Sequence, residues 1–244
     1  MSMATIESLP VPLVLKSRNT RLREFMDAPD CDPARLTRTY AQFARLNPLL
    51  SGWDRVYRRL LYPRMDRQRQ WSLLDVGCGG ADIARHLLAL ARRDDFDLCV
   101  HAIDPDRRAI DFATAAAPAD ACLTLENCEL RTIAARGDRF DFVVCNHLLH
   151  HLDAADLQSL CRDAAQIGRR RVIWNDIERS DVGYALFAIG APLLFPRAFT
   201  AADGLRSIRR SYTRDELAAA LPDGWMVTRQ RPCRLVATYD GVES

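Results

Sequence analysis

Three of the chain's five histidines fall within Asn146-His147-Leu148-Leu149-His150-His151. Imidazole has an ordinary pKa of about 6.5, so it can take or give a proton at neutral pH. The run is therefore a candidate for acid–base work or metal ligation. No carboxylate motif joins it in sequence, and no metal site is expected. Helical spacing would place His150 and His151 on the same side of a helix as His147. A second candidate is Asp75-x-Gly77-x-Gly79, an acid followed by glycines where a backbone can approach a ligand closely. The third is Asp104, which closes the apolar run 98–103. An acid at a strand end can accept both hydroxyls of a ribose.

The pattern around these residues shows how they would be held. Leu73, Leu74 and Val76 read as the end of a buried parallel strand. The loop Gly77-Cys78-Gly79-Gly80 follows, and then Ile83, Leu87, Leu88 and Ala91 recur at helical spacing, with Asp82 in the first turn. Strand, glycine loop and helix form the nucleotide-binding half of a doubly wound fold. Two readings compete for the loop. A dinucleotide fingerprint starting at Gly77 would put Asp82 at its third glycine, where a carboxylate repels a pyrophosphate. The other reading begins with the acid, as Asp75-x-Gly77-x-Gly79.

That second pattern resembles motif I of the class I S-adenosylmethionine (SAM) methyltransferases, with Ala81 where the family often has a further glycine. The resemblance implies SAM as cofactor, with S-adenosylhomocysteine (SAH) as product. It also implies a binding set of Asp75, Gly77, Cys78, Gly79, Asp104, Pro105 and Asn146. The expected fold is α/β, a doubly wound, Rossmann-like sheet of seven strands with an N-terminal helical cap. The cap would cover residues 1–69 and the core 70–244.

The rest of the chain supports that division. Residues 1 to about 30 begin irregularly, with a short helix expected over Asn19 to Ala28. Asp32-Pro33-Ala34 marks a helix start, followed by Leu36, Tyr40, Phe43 and Leu46 on one face. A second helix after Ser51 carries Trp53, Val56, Tyr57, Leu60 and Leu61 and stops at Tyr62-Pro63. Strands are expected at Cys122–Leu125, Phe140–Asn146, Arg171–Asn175, Trp225–Gln230 and Arg234–Tyr239. Between them lie helices over Asp106–Ala116, from His147 through Ala165, and over Tyr212–Leu221, the last with the capping box Thr213-x-x-Glu216. An insertion at about 179–211 contains the apolar run Val182 to Phe195, which Gly190 and Pro192 should break into pieces. It reads either as a core helix or as an apolar lid over a lipophilic substrate. Arg206, Arg209 and Arg210 then read as a solvated face.

Four segments carry a wider resemblance: FARLNPLLSGWDRVYRR from Phe43, NHLLHHL, WNDIERS, and GLRSIRRSYTRDEL. They look like bacterial methyltransferases of phenolic lipids and of polyketide and quinone products. The first segment makes Phe43, Asn47 and Arg55 candidates for covering the cofactor. Matching strand to strand, the plant-type phenolic O-methyltransferases imply a catalytic histidine at His150 and its acid at Asp176; His147, nearest the strand end, is the reserve candidate. A sulfonium methyl is already electrophilic, so the enzyme chiefly aligns the groups and removes a phenolic proton. The implied reaction is O-methylation of a small lipophilic aromatic substrate, with carbon methylation of a quinol ring as the alternative.

Composition narrows the field further. A formal net charge of +2 and no N/D-P-P-Y loop at Asn146 argue against a nucleic-acid substrate. A non-catalytic SAM-binding protein would have no need of the histidine run. Eight cysteines without a C-x-x-C read as small hydrophobes in a reducing compartment. With no signal-like N-terminus and no apolar stretch of about 18 residues, a cytoplasmic protein without stable membrane insertion is expected.

Overall fold

Leu73, Leu74 and Val76 are buried because a strand in the middle of a parallel sheet has helices on both faces. They belong to β1 (Gln70–Val76), the third strand of a seven-stranded sheet ordered β3-β2-β1-β4-β5-β7-β6. The computed structural model describes residues 13–116 and 119–241. The expectations for residues 1–12 lie outside the described residues.

Strands β2 (Asp97–Ile103), β3 (Leu123–Glu126), β4 (Phe140–Asn146) and β5 (Gly168–Ile177) run parallel with β1. Strand β7 (Arg234–Asp240) inserts antiparallel between β5 and β6 (Met226–Gln230). The strand order reverses between β1 and β4, and ligands of open α/β sheets bind outside the carboxyl ends of the strands at such a point. Every candidate for chemistry lies on that edge.

Helix α1 (Pro33–Leu50) starts as its sequence predicts, with the Asp32 carboxylate accepting from the Ala34 and Arg35 amides. Helix α2 (Trp53–Val56) continues through a π turn to Leu61 and a 3₁₀ turn to Arg64. Its Trp53, Val56, Tyr57 and Leu61 are buried in the main core, together with Leu87 and Leu88 of α3 (Asp82–Arg93). Helices α4 (Arg107–Ala116), α5 (Leu130–Arg136) and α6 (Ala154–Ile167) complete the crossovers. Helix α5 has no counterpart in the sequence reading.

Several expectations fail for identifiable reasons. Residues 19–28 form no helix, because their backbone groups are taken by α8 (Thr200–Arg210). The Asp203 carboxylate accepts from the Phe25 and Met26 amides, and Arg210 donates to the Leu22 carbonyl. Arg210 is therefore buried, not solvated. No continuous helix runs from His147. That residue is left-handed at φ +60°, a single 3₁₀ turn covers Leu149–His151, and Asp153 caps α6 afresh. Helix α7 (Asp181–Leu194) is unbroken: Pro192 falls in its last turn, where one lost backbone bond is tolerated. It packs against α8, with the Phe187 ring over Gly204.

Helix α9 (Arg214–Ala220) has the expected capping box in both directions, Thr213 with the Glu216 amide and Glu216 with the Thr213 amide. Glu216 also pairs with the buried Arg179 at 2.5 Å. Thr213→Ala should cost about 1 kcal/mol of unfolding free energy, read by denaturant titration. No change would mean that the Glu216–Arg179 pair alone fixes this helix start.

Candidate active site

The glycine loop leaves β1 in a backbone conformation that favours glycine, with Gly77 at φ +67° and Gly79 at φ +53°. A Cβ added at Gly79 would meet only the Tyr40 ring, at 3.9 Å, so the loop backbone there faces open space. Asp104 holds the loop from below. Its carboxylate accepts from the Gly79 amide at 2.8 Å and from the Asp106 amide at 2.8 Å. Asn127 bonds the carbonyls of Asp104 and Pro105 and braces the same turn.

Three carboxylates, those of Asp75, Asp82 and Asp104, converge on this loop. Burial raises the pKa of each, and for Asp75 the neighbouring Asp82 and Asp104 raise it further. One oxygen of Asp75 and one of Asp82 are buried without a hydrogen-bond partner. Unpaired buried acceptors beside an open glycine cradle suit a cationic or donor-rich ligand and repel a pyrophosphate. The chemistry of this cradle fits SAM, one end of which carries an ammonium group. Asn146 lines the same cleft, its side-chain oxygen bonded by the Trp53 indole at 3.1 Å.

The histidine run stands across the cleft. Asp176 lies next to last in β5 and is buried. One of its oxygens accepts from the His150 amide at 2.9 Å, and the other meets His150 Nδ1 at 2.7 Å. His150 Nε2 faces Glu24 at 3.3 Å. Burial pulls the His150 pKa down, but the Asp176 and Glu24 carboxylates outweigh it and raise it to about 9. Glu24 is held down to about 2: burial opposes its charge, but His150, His151 and the Ser207 hydroxyl at 2.5 Å overcome that. The group is a buried carboxylate–imidazolium–carboxylate chain.

Its backbone is pinned as well. Arg210 donates to the His150 and His151 carbonyls at 3.1 and 3.0 Å, and Arg18 lies near the His150 carbonyl at 3.4 Å. His151 meets Glu24 at 3.6 Å and Asp27 at 3.4 Å. The carboxylate that the histidine run lacks in sequence thus comes from Glu24. The ligand-type atoms of Glu24, His150 and His151 lie within 4.8 Å of one another, with the Glu24 carboxylate facing both rings. His147 differs from its neighbours. Burial and the adjacent Arg234 hold it well below the ordinary range, and its Nε2 contacts that guanidinium.

One cleft, of about 1030 Å³ up to its open mouth, brings these sites together. Asp75, Gly77, Cys78, Gly79, Asp104, Pro105, Asn146, His147 and His150 all line it; Asp176 stands behind His150. Phe43 and Asn47 also line it, but Arg55 does not and donates instead to the Arg231 carbonyl. Glu24, Met26, Tyr40 and Ser207 were not found from sequence. No motif marks Glu24, which lies 126 residues before the histidine it faces. Of the insertion at 179–211, only Ser207 reaches this cleft.

Comparison with known proteins finds partial matches. Residues 73–170 match the profile described as a methyltransferase domain. A ubiquinone biosynthesis O-methyltransferase from Methylobacterium sp. (strain 4-46) is 29% identical over 162 residues. That match covers 64% of this chain and 59% of the relative, so the chain spans about three fifths of the relative's length. Among solved structures, the plantazolicin methyltransferase BpumL, with SAH and a monoazolic desmethylPZN analog, superposes with a TM-score of 0.63 at 11% identity. It covers 87% of this chain and 91% of its own. Magnesium protoporphyrin IX methyltransferase (ChlM) from Synechocystis PCC 6803, with bound SAH, gives 0.52 at 16% identity, covering 86% and 100%. At these identities the likeness is one of fold.

Proposed function

We propose that this chain is a class I SAM-dependent methyltransferase that methylates a hydroxyl of a small lipophilic phenol; its sheet topology and the methyltransferase-domain match of residues 73–170 support the class. The observation that carries the reading is His150, held by Asp176 at 2.7 Å and sharing one cleft with the glycine loop and Asp104. The name of the ubiquinone biosynthesis relative is compatible with it.

SAM would supply an electrophilic methyl group, so the chain's own task is to align an acceptor and remove its proton. Asp75 and the 77–80 loop would hold the charged end, and Asp104 would fix the ribose. Asp176 orients the His150 ring and stabilises its charged form, leaving Nε2 for the acceptor's proton. Met26, Tyr40, Phe43, Ile83 and Leu148 give the cleft apolar surface for an aromatic ring. An incoming phenol would take the place of Glu24 at Nε2.

The direct test is turnover of a phenol panel with isotope-labelled SAM, with the product located by mass spectrometry. Label on a phenolic oxygen supports the reading. Label on a ring carbon replaces it with quinol carbon methylation, and no label on any phenol overturns it. For the cofactor end, Asp104→Ala should weaken SAM binding by about 1.5–3 kcal/mol, the scale of a hydrogen bond to a charged group. Calorimetry of the variant reads this directly, and an unchanged affinity would remove Asp104 from the cofactor site.

A further inference from the structure

The exposed apolar side chains of this protein are concentrated in one place. Val182, Leu186, Ile189 and Leu193 of α7 are 56–83% exposed at the spacing of a single helical stripe, and Leu194 beside its end is 68% exposed. Leu13 and Val14 extend the stripe at its N-terminal end, where their amides bond the Asp181 carboxylate. Together these make seven of the eleven large hydrophobics exposed among the described residues. A contiguous patch of this kind marks an interaction site on a soluble domain.

The other face of α7 is already satisfied. Phe187 packs over Gly204 of α8, Gly183 lies against Cys233, and Ala191 is buried. The exposed stripe is therefore not core surface turned outward by poor packing. Nor does it cover the cleft, since no α7 residue lines it.

The charges around the stripe identify its partner. From Val182 to Pro196 the chain carries no charge. At one end stand Arg197 and Arg38, joined by a bond from Arg38 Nε to the Arg197 carbonyl. At the other end is the exposed Lys16. The acid at that end, Asp181, is occupied by the three amides of Leu13, Val14 and Leu15. An aliphatic face with no polar or aromatic member, bounded by exposed cations, lacks the aromatic anchors of a protein interface. It has the character of a helix lying in a lipid–water boundary. At 14 residues α7 is too short to cross a bilayer, and none of the helices among the described residues is long and apolar enough to do so.

We propose that α7, with Leu13 and Val14, is a docking face for the surface of an anionic bilayer. The aliphatic stripe enters the headgroup boundary, and Arg38, Arg197 and Lys16 meet the lipid phosphates. This inference does not depend on the identity of the methyl acceptor, and its test reads no methyl transfer.

The experiment is co-sedimentation of the full chain with vesicles of phosphatidylcholine, with and without phosphatidylglycerol. The wild type should bind the phosphatidylglycerol vesicles more tightly, and added salt should weaken that binding. Leu186→Glu with Ile189→Glu should abolish binding. Arg38→Gln with Arg197→Gln should weaken it by roughly fivefold per arginine on phosphatidylglycerol vesicles, with little effect on phosphatidylcholine alone. Calorimetric SAM binding by each variant checks that the core is folded. A wild type that sediments with neither vesicle overturns the proposal. So does a variant pair that binds as the wild type does. A wild type that dimerises without lipid, and is made monomeric by Leu186→Glu with Ile189→Glu, also overturns it, assigning the face to a second copy of the chain.

Discussion

Replacing His150 by alanine is expected to lower turnover by about 10²- to 10⁴-fold, the usual contribution of a positioned base, while leaving SAM affinity within about twofold of wild type, because no cofactor contact is removed. The ring has one nitrogen committed to Asp176 at 2.7 Å and the other on a longer 3.3 Å contact with Glu24. The longer contact is the one an acceptor hydroxyl can displace. The pKa of about 9 lies close to the ~10 of a phenol, so proton transfer between them is nearly matched in energy. The same pKa leaves only about 1% of the free enzyme in the unprotonated form at pH 7.

A pH dependence follows from those values. A base works when deprotonated, so kcat/KM should rise about tenfold per pH unit and level off near pH 9. Glu24 is one of the two carboxylates that raise this pKa. Glu24→Gln should therefore shift the rise to lower pH and increase kcat/KM at neutral pH. His147→Ala should leave the shape of the profile unchanged, because His147 is kept neutral beside Arg234. Near-wild-type turnover of His150→Ala would end the assignment, and an acceptor that enters already ionised would become the better account.

What the sequence made legible is what short-range pattern determines. The buried run Phe140–Asn146 is β4 to the residue, and Asp32-Pro33 is the start of α1, because strand apolarity and capping are local. The glycine loop could be placed at the ligand edge because strand, loop and helix are contiguous. Helix α5 escaped notice because seven residues give too little period to separate from a loop. The helix expected over 19–28 failed for a different reason: the stretch is held by Asp203 and Arg210, which lie nearly two hundred residues away. A separation of 126 residues from His150 hid Glu24 in the same way. Even the geometry of the histidine run was illegible, since His147 at φ +60° breaks the helical spacing that would align it with His150.

The cluster that was hidden in this way should also be a strong point of the fold, and Asp176→Ala is expected to cost about 3–5 kcal/mol of unfolding free energy. Removing one partner of a buried ion pair leaves the other charge uncompensated, and His150 would keep only Glu24, at 3.3 Å. The sign of the pH dependence follows group by group. Glu24, lowered to about 2, contributes stability that is present above its ordinary value of 4.5 and is lost as pH falls toward 2. Asp176 is lowered in the same sense. His150, raised to about 9, contributes stability that is complete below 6.5 and is lost as pH rises through 9. The full contribution is therefore present between about pH 4.5 and 6.5. Urea titrations of wild type, Asp176→Ala and Asp176→Asn should show the largest gap in that window. Above pH 9 the gap should narrow, because the imidazolium that needs the carboxylate is gone. Asp176→Asn keeps the shape and can still accept from the His150 amide, so it should recover part of the loss. A gap below about 1 kcal/mol, the scale of an exposed pair, would mean that water reaches His150 in the folded protein and that Asp176 is not the group that sets its charge.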